Sequence, residues 1–160
     1  MTPRESEAFH RTFQRLGEQL KLSPGHQLFT VSHILPGRSE VERIFTTMPG
    51  PYPIVGSKPM DSSTWTAQMA RGECFVANQP QDFGAHFGDL STILSLGLGS
   101  VINLPVFDNQ RQLGTLNLLD RADAYTGDVL EACLAARPLA RQGFLEYEAF
   151  AQSPSSQPTA

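Results

Sequence analysis

Apolar and polar positions along this chain fall into short periodic runs separated by turn residues. The clearest run, Leu96 to Asp120, reads LGLGSVINLPVFDNQRQLGTLNLLD. Two apolar segments of strand length flank a polar turn, Asp108 to Arg111, which predicts a β-hairpin. Both faces of both strands are mostly apolar, so the hairpin needs cover on both sides, as in a layered α/β domain. Upstream, Phe9, Phe13, Leu16 and Leu20 recur at helical spacing and predict an amphipathic helix over 5–22, stopped by Ser23-Pro24-Gly25.

The remaining pattern supplies the other elements. Leu28 to Leu35, rich in Val, Ile, Phe and Thr, predicts a strand, and Pro36-Gly37 a turn. Val41 to Thr47 predicts a second strand nearer an edge, with Val41, Arg43 and Phe45 on one face and Glu42, Ile44 and Thr46 on the other. Met48 to Pro59 carries four prolines and two glycines and predicts a loop. Asp61-Ser62-Ser63 offers N-caps for a helix over 64–70, ended by Arg71-Gly72. Cys74 to Ala77 predicts a short buried strand, 78–88 a turn-rich loop, and 90–96 a helix capped by Asp89 and closed by Gly97. From Thr126 a helical tract runs to about Phe150, with Pro138 kinking or dividing it. The composition of 151–160 predicts a disordered tail after a domain spanning 1–150.

This order predicts an α/β domain of α+β type. Its centre is a mainly antiparallel sheet of five to six strands. The terminal helices cover one face, and loops and short helices lie over a pocket on the other.

The hairpin also carries a resemblance. A small-Gly-Ser entry, a strand with Asn-x-Pro, a turn, and then Leu113 to Asp120 as LGTLNLLD resembles the central hairpin of a GAF domain. The likeness extends back through Gly56 to Asn78 and forward to the helix after Tyr125-Thr126, about residues 5–150 in order. It implies a sensory domain that binds a small molecule or chromophore and dimerises through its terminal helices. It names no ligand or cofactor.

Composition narrows the classes. At 160 residues and 40% hydrophobic content, one domain with a good core is expected. The net charge is −4 and Lys and Arg form no cluster, which argues against nucleic acid. No apolar run nears the ~18 residues of a membrane span, and the polar, acidic N-terminus lacks a signal-peptide core. Two cysteines without CxxC spacing fit a reducing cytoplasm and give no metal site.

Candidate chemistry centres on Asn103, Thr115 and Asn117, polar groups where the pattern demands burial. If the hairpin loop has odd length they share a face. They then either floor a ligand pocket or bond to nearby backbone. Trp65, Phe75, Phe83 and Phe87 fall where a pocket wall would be, with core packing as the alternative for each. His86 would lie in a loop over the pocket. If instead the pocket is vestigial, Trp65, Phe75 and Phe87 fill the sheet face and leave no cavity. No catalytic motif or metal-ligand pattern occurs; there is no GxSxG, P-loop or HExxH. The one enzymatic alternative is a redox reaction through Cys74, related to free methionine sulfoxide reductases. The chain departs from these: 90–100 holds no cysteine, and Thr115 and Asn117 stand where carboxylates are needed. It also lacks the Asn-Lys…Phe…Asp-Glu pattern of cyclic-nucleotide GAF domains, and Cys74 is poorly set for bilin attachment. Apolar side chains on both terminal helices, Leu130, Leu134, Phe144, Leu145 and Phe150 among them, exceed what one sheet face can use. They predict a two-fold homodimer.

Overall fold

A computed structural model describes residues 3–82 and 88–153. After a 3-10 turn at Arg4–Ser6 the order is α1 (Ala8–Leu22), β1 (Leu28–Ile34), β2 (Glu40–Thr46), β3 (Lys58–Pro59), α2 (Thr64–Ala70), β4 (Phe75–Ala77), α3 (Leu90–Ser95), β5 (Ser100–Asp108), β6 (Arg111–Asp120), α4 (Leu130–Ala135) and α5 (Arg137–Ala151). Among the described residues the six strands form one antiparallel sheet in the order β3-β2-β1-β6-β5-β4. The expected architecture is therefore present, with α1 and α5 on one face and α2 and α3 towards the other.

Four local expectations are corrected. The proline-rich 48–59 ends in a two-residue strand, β3, pairing Lys58 with Val41 and Pro59 with Glu40. β4 is an edge strand rather than a buried one, with Val76 exposed. The tract from Thr126 turns helical only at Leu130, because Gly127 takes a left-handed turn (φ +84°). Pro138 divides the tract, as its position predicts, by entering the first turn of α5, where its missing N–H costs no helical bond. The expected tail, 151–160, begins with the last residue of α5, and 154–160 lie outside the described residues.

Register in the hairpin is set by a bulge. The loop is two residues long, with Asn109 left-handed (φ +55°), and Asp108 faces Arg111. Continued without interruption, that pairing would set Asn103 opposite Leu116. Instead the register shifts, from Phe107 opposite Gln112 to Val106 opposite Gly114, and Leu113 is the extra residue. Asn103 then lies directly opposite Asn117. The expected odd loop is thus replaced by an even loop plus a bulge, with the same parity. Gly114 follows the bulge, and a Cβ there would stand 1.9 Å from the Ser32 carbonyl oxygen of β1. A second bulge between β1 and β2 makes Ile44 the extra residue, so Ile44 and Phe45 both join the helix-side core and the simple alternation of 41–47 breaks. Pro105 is tolerated because β4 pairs only with 101–103 of β5, leaving Pro105 beyond that ladder.

The helix-side core holds Phe9, Phe13, Leu16 and Leu20 of α1, Phe29 and Val31 of β1, and Phe144 and Tyr147 of α5. The helices approach closely at Gly143, where a Cβ would meet the Phe13 ring at 2.8 Å. Leu130, Leu145 and Phe150 pack half-buried on the same core, while Leu134 stays 42% exposed. The apolar surplus that predicted a dimer is thus largely consumed within the chain. Phe13→Glu would unfold the domain rather than split a dimer.

A polar node is set into this face. His33 of β1 is buried, with its ring nitrogens 3.0 Å from Glu42 and 2.9 Å from Glu148. Arg111 clasps Glu148 with two bonds of 2.9 and 2.8 Å, and Tyr147 donates to Glu42 at 3.0 Å. The Arg111 bonds hold the Glu148 carboxyl below the usual glutamate range, burial opposing and His33 adding to the effect. Burial pushes Glu42 up, but the bonds from His33 and Tyr147 more than offset it and leave it lowered.

Two outcomes follow from this packing. Gly114→Ala should cost about 3 kcal/mol or more in urea unfolding, because the neighbouring backbone must yield. Lowered carboxyl pKa values add stability above the usual glutamate range that disappears as pH falls through the folded values. Arg111→Met should therefore lower stability at neutral pH and move the acid unfolding midpoint of the whole chain to higher pH, with the difference from the parent chain shrinking as pH falls.

Candidate functional site

Alternation along β1 sends Phe29, Val31 and His33 to the helices and Leu28, Thr30, Ser32 and Ile34 to the opposite face. On that face lies a cavity of about 530 Å³, within the range of small-molecule sites. The sheet forms its floor, and α2, α3 and the 51–61 segment contribute its walls.

Residues in direct register run across five strands, Phe75, Asn103, Asn117, Thr30 and Thr46, and the middle three lie on the cavity floor. Its amides are linked in one direction. Trp65 Nε1 donates to Asn103 Oδ1 at 3.0 Å, and Asn103 Nδ2 donates to Asn117 Oδ1 at 2.8 Å. Asn117 Nδ2 then donates to Thr30 Oγ1 at 3.2 Å and Ser32 Oγ at 3.1 Å. Asn103 is 1% exposed, so this network satisfies amide groups that burial would otherwise penalise. It also ties the indole N–H of Trp65 to the sheet.

Local sequence explains the placement of Trp65. Ser63 caps α2 by accepting from the Thr66 N–H at 3.2 Å, and Asp61 Oδ1 accepts from the Ser63 N–H at 3.1 Å. The Thr66 hydroxyl holds the Asp61 carboxyl below its usual range, the Ser63 backbone adding to this. The other expected cap differs. Asp89 heads α3, but its carboxylate accepts from the Tyr52 hydroxyl instead of from the helix backbone. Burial raises the Tyr52 phenol, and Asp89 raises it further.

Of the residues singled out in the sequence, Trp65, Asn103, Thr115 and Asn117 line the cavity together. Phe75 does not; it packs half-buried with Ala77, Ile93 and Leu98 on the same face. Phe83, His86 and Phe87 lie outside the described residues. A filled, cavity-free sheet face is not what the fold builds. Sequence reading missed Arg43, Tyr52, Lys58 and Met69. Alternation alone would have put Arg43 beside Val41 on the cavity face; Lys58 was hidden inside the proline-rich segment.

The thiols stand apart from the cavity lining. Burial raises the half-buried Cys74 thiol, with Arg137 opposing. Burial, with Cys74 adding, pushes Cys133 up to about 11. Neither has the depressed pKa of a reactive thiol at neutral pH. No group of three or more metal-ligating side chains occurs among the described residues. No helix among them is long and apolar enough to cross a membrane.

Solved structures with this architecture are numerous. The GAF domain of a two-component sensor histidine kinase from Bacillus halodurans superposes with a TM-score of 0.73 at 13% identity, covering 92% of this chain and 100% of that one. The chain has the GAF-domain fold. A red/green cyanobacteriochrome in its red light-absorbing state gives 0.66 at 18% identity, over 91% of this chain and 98% of the other. The phycocyanobilin-bound GAF domain of a cyanobacterial phytochrome gives 0.62 at 13%, over 93% and 98%. No protein-family model and no curated protein matches the sequence.

The amide row of this GAF fold is a structural element in its own right. Asn103→Leu removes the acceptor for Trp65 Nε1 and the donor to Asn117 in a buried position, and should destabilise the domain by about 2 kcal/mol, with a shift in the emission of its only tryptophan. Unchanged stability would contradict the network.

Proposed function

We propose that this chain is a sensory domain that binds a small organic molecule in the cavity between the sheet and the α2–α3 side, without catalysing a reaction. The observation that carries this reading is the cavity itself: about 530 Å³, an amide-bearing floor, and walls including Trp65, Met69 and Ile93. Trp65, Asn103, Thr115 and Asn117 are the residues assigned to the site. The bonds from Trp65 to Asn103 and from Asn103 to Asn117 make these three a pre-formed surface, with Thr115 beside it, on which a ligand is oriented by what bonding capacity remains.

The sensory role draws support from the kinase and photoreceptor domains with the same fold. A ligand attached covalently through a cysteine is not favoured, because neither Cys74 nor Cys133 lines the cavity. The same fact, with the raised Cys74 thiol, weighs against the redox alternative. A homodimer through α1 and α5 belongs to this proposal only through their outer faces, which carry Arg11, Arg15, Glu18 and Arg141 rather than the buried stripe.

A thermal-shift screen of the whole chain against a metabolite library tests the reading. At least one compound should raise the melting temperature by several degrees and quench or shift Trp65 emission. A library without a single stabilising compound would overturn ligand sensing. Slow iodoacetamide labelling of Cys74 in the native state, fast in urea, is the expected companion result.

A further inference from the structure

The cavity is electrically lopsided. Arg43 of β2 lies opposite Ser32 of β1 and lines the wall on that side. Its Nη1 donates to the Pro53 carbonyl oxygen at 2.9 Å, and its guanidinium sits 5.1 Å from the centre of the Tyr52 ring. A guanidinium carries five N–H donors, so one bond leaves most of them unclaimed. Lys58 of β3 lies opposite Val41 and lines the same wall. Among the described residues neither cation has a carboxylate within ion-pair distance.

The cavity's two carboxylates are already engaged. Asp61 is held by Ser63 and Thr66, and Asp89 by the Tyr52 hydroxyl. Burial lowers the Arg43 pKa, with Tyr52 and Asp89 opposing, so the charge is incompletely compensated where it stands. Three strand spacings, about 14 Å at ~4.8 Å each, separate the strand bearing Asn103 from the strand bearing Arg43. Between them the floor carries Asn117, Thr30, Ser32 and Thr115, and the apolar part of the lining is Leu28, Leu119, Met69 and Ile93. One end of the cavity is thus cationic with spare donors, and the other is aromatic with its amides already paired.

Resting on the ligand-binding reading above, we propose that the cavity takes an amphipathic organic acid. Its carboxylate lies against Arg43 and Lys58, and its flat apolar body against Met69, Ile93 and Trp65. A planar carboxylate matches the fork of a guanidinium in two parallel bonds, which a point cation such as a ligand amine cannot do here. A cationic ligand meets like charge at this wall.

Matched pairs test the assignment: 3-phenylpropionate, 1-naphthylacetate and 4-biphenylacetate, each beside its primary amide, titrated into the whole chain and followed by thermal shift and Trp65 emission. The expected result is binding by at least one acid, about tenfold tighter than its amide and weakened by added salt. Arg43→Met should bring the acid-to-amide ratio close to one. Lys58→Met, at an exposed position that leaves folding intact, should lower the ratio several-fold and flatten the salt dependence. Amides binding as well as acids, or ratios unchanged in both variants, would overturn the acid assignment while leaving the cavity a ligand site. No binding by any acid would overturn it as well, and the metabolite screen then decides separately whether the cavity binds anything. Should Arg43→Met not fold, Lys58→Met carries the test alone.

Discussion

The register of the β5–β6 hairpin is the constraint on which the rest depends. A strand alternates its faces with period two, so a slip of one residue sends every side chain to the other side. Leu113 supplies that slip by standing as an extra residue in β6. Without it Asn103 would face Leu116, the two asparagines would lie on opposite faces, and the Trp65 N–H would have no amide chain to join. One amide would then be buried among Phe13, Phe29 and Phe144, with a cost of several kcal/mol and no partner within reach. Gly114 lets the bulged strand run close enough to β1 for Asn117 to reach Thr30 and Ser32.

β1 lies third in the six-stranded order, paired to β2 and β6, and its two faces do different work. Towards the helices it offers Phe29 and Val31 to the core and His33 to the Glu42–Glu148–Arg111 node. Towards the cavity it offers Thr30 and Ser32 to the amide row. The node ties β1, β2, β6 and α5 together through charge-assisted bonds in a partly buried setting, where screening is weak. Ser32 on the cavity side and His33 in the node are neighbours along the same strand.

How much of this could be read from the sequence depended on period. The order of elements, the α1 stripe, the hairpin and the Ser63 cap were all legible, because each rests on local chemistry: apolar spacing, a polar turn, a side chain that bonds its own backbone. The bulges were not legible, since an extra residue changes parity without changing composition. The expected odd loop reached the correct face for the asparagines by a different route. β3 was hidden because its two residues pair only through β2, and Asp89 capped nothing because Tyr52, distant in sequence, competes for its carboxylate. The terminal helices misled for a related reason. Their apolar residues were weighed against one sheet face, whereas α1 and α5 also bury much of that surface against each other across Gly143.

Fold likeness at 12–18% identity fixes the scaffold and leaves the chemistry of the cavity to this chain's own side chains. Those side chains divide into paired and unpaired. The asparagines, the part of the site most visible in the sequence, use their strongest bonding groups on one another and on Trp65, so they stiffen the floor more than they select a ligand. Selection falls to groups whose capacity is unspent, and on this surface the charged ones are Arg43 and Lys58, on β2 and β3. The residues that announce the site and the residues that discriminate within it are then different. The asparagines are conspicuous because polar atoms in an apolar strand demand partners. Arg43 and Lys58 pass for ordinary charges near a sheet edge until the strands are assembled and their shared wall of the cavity is formed.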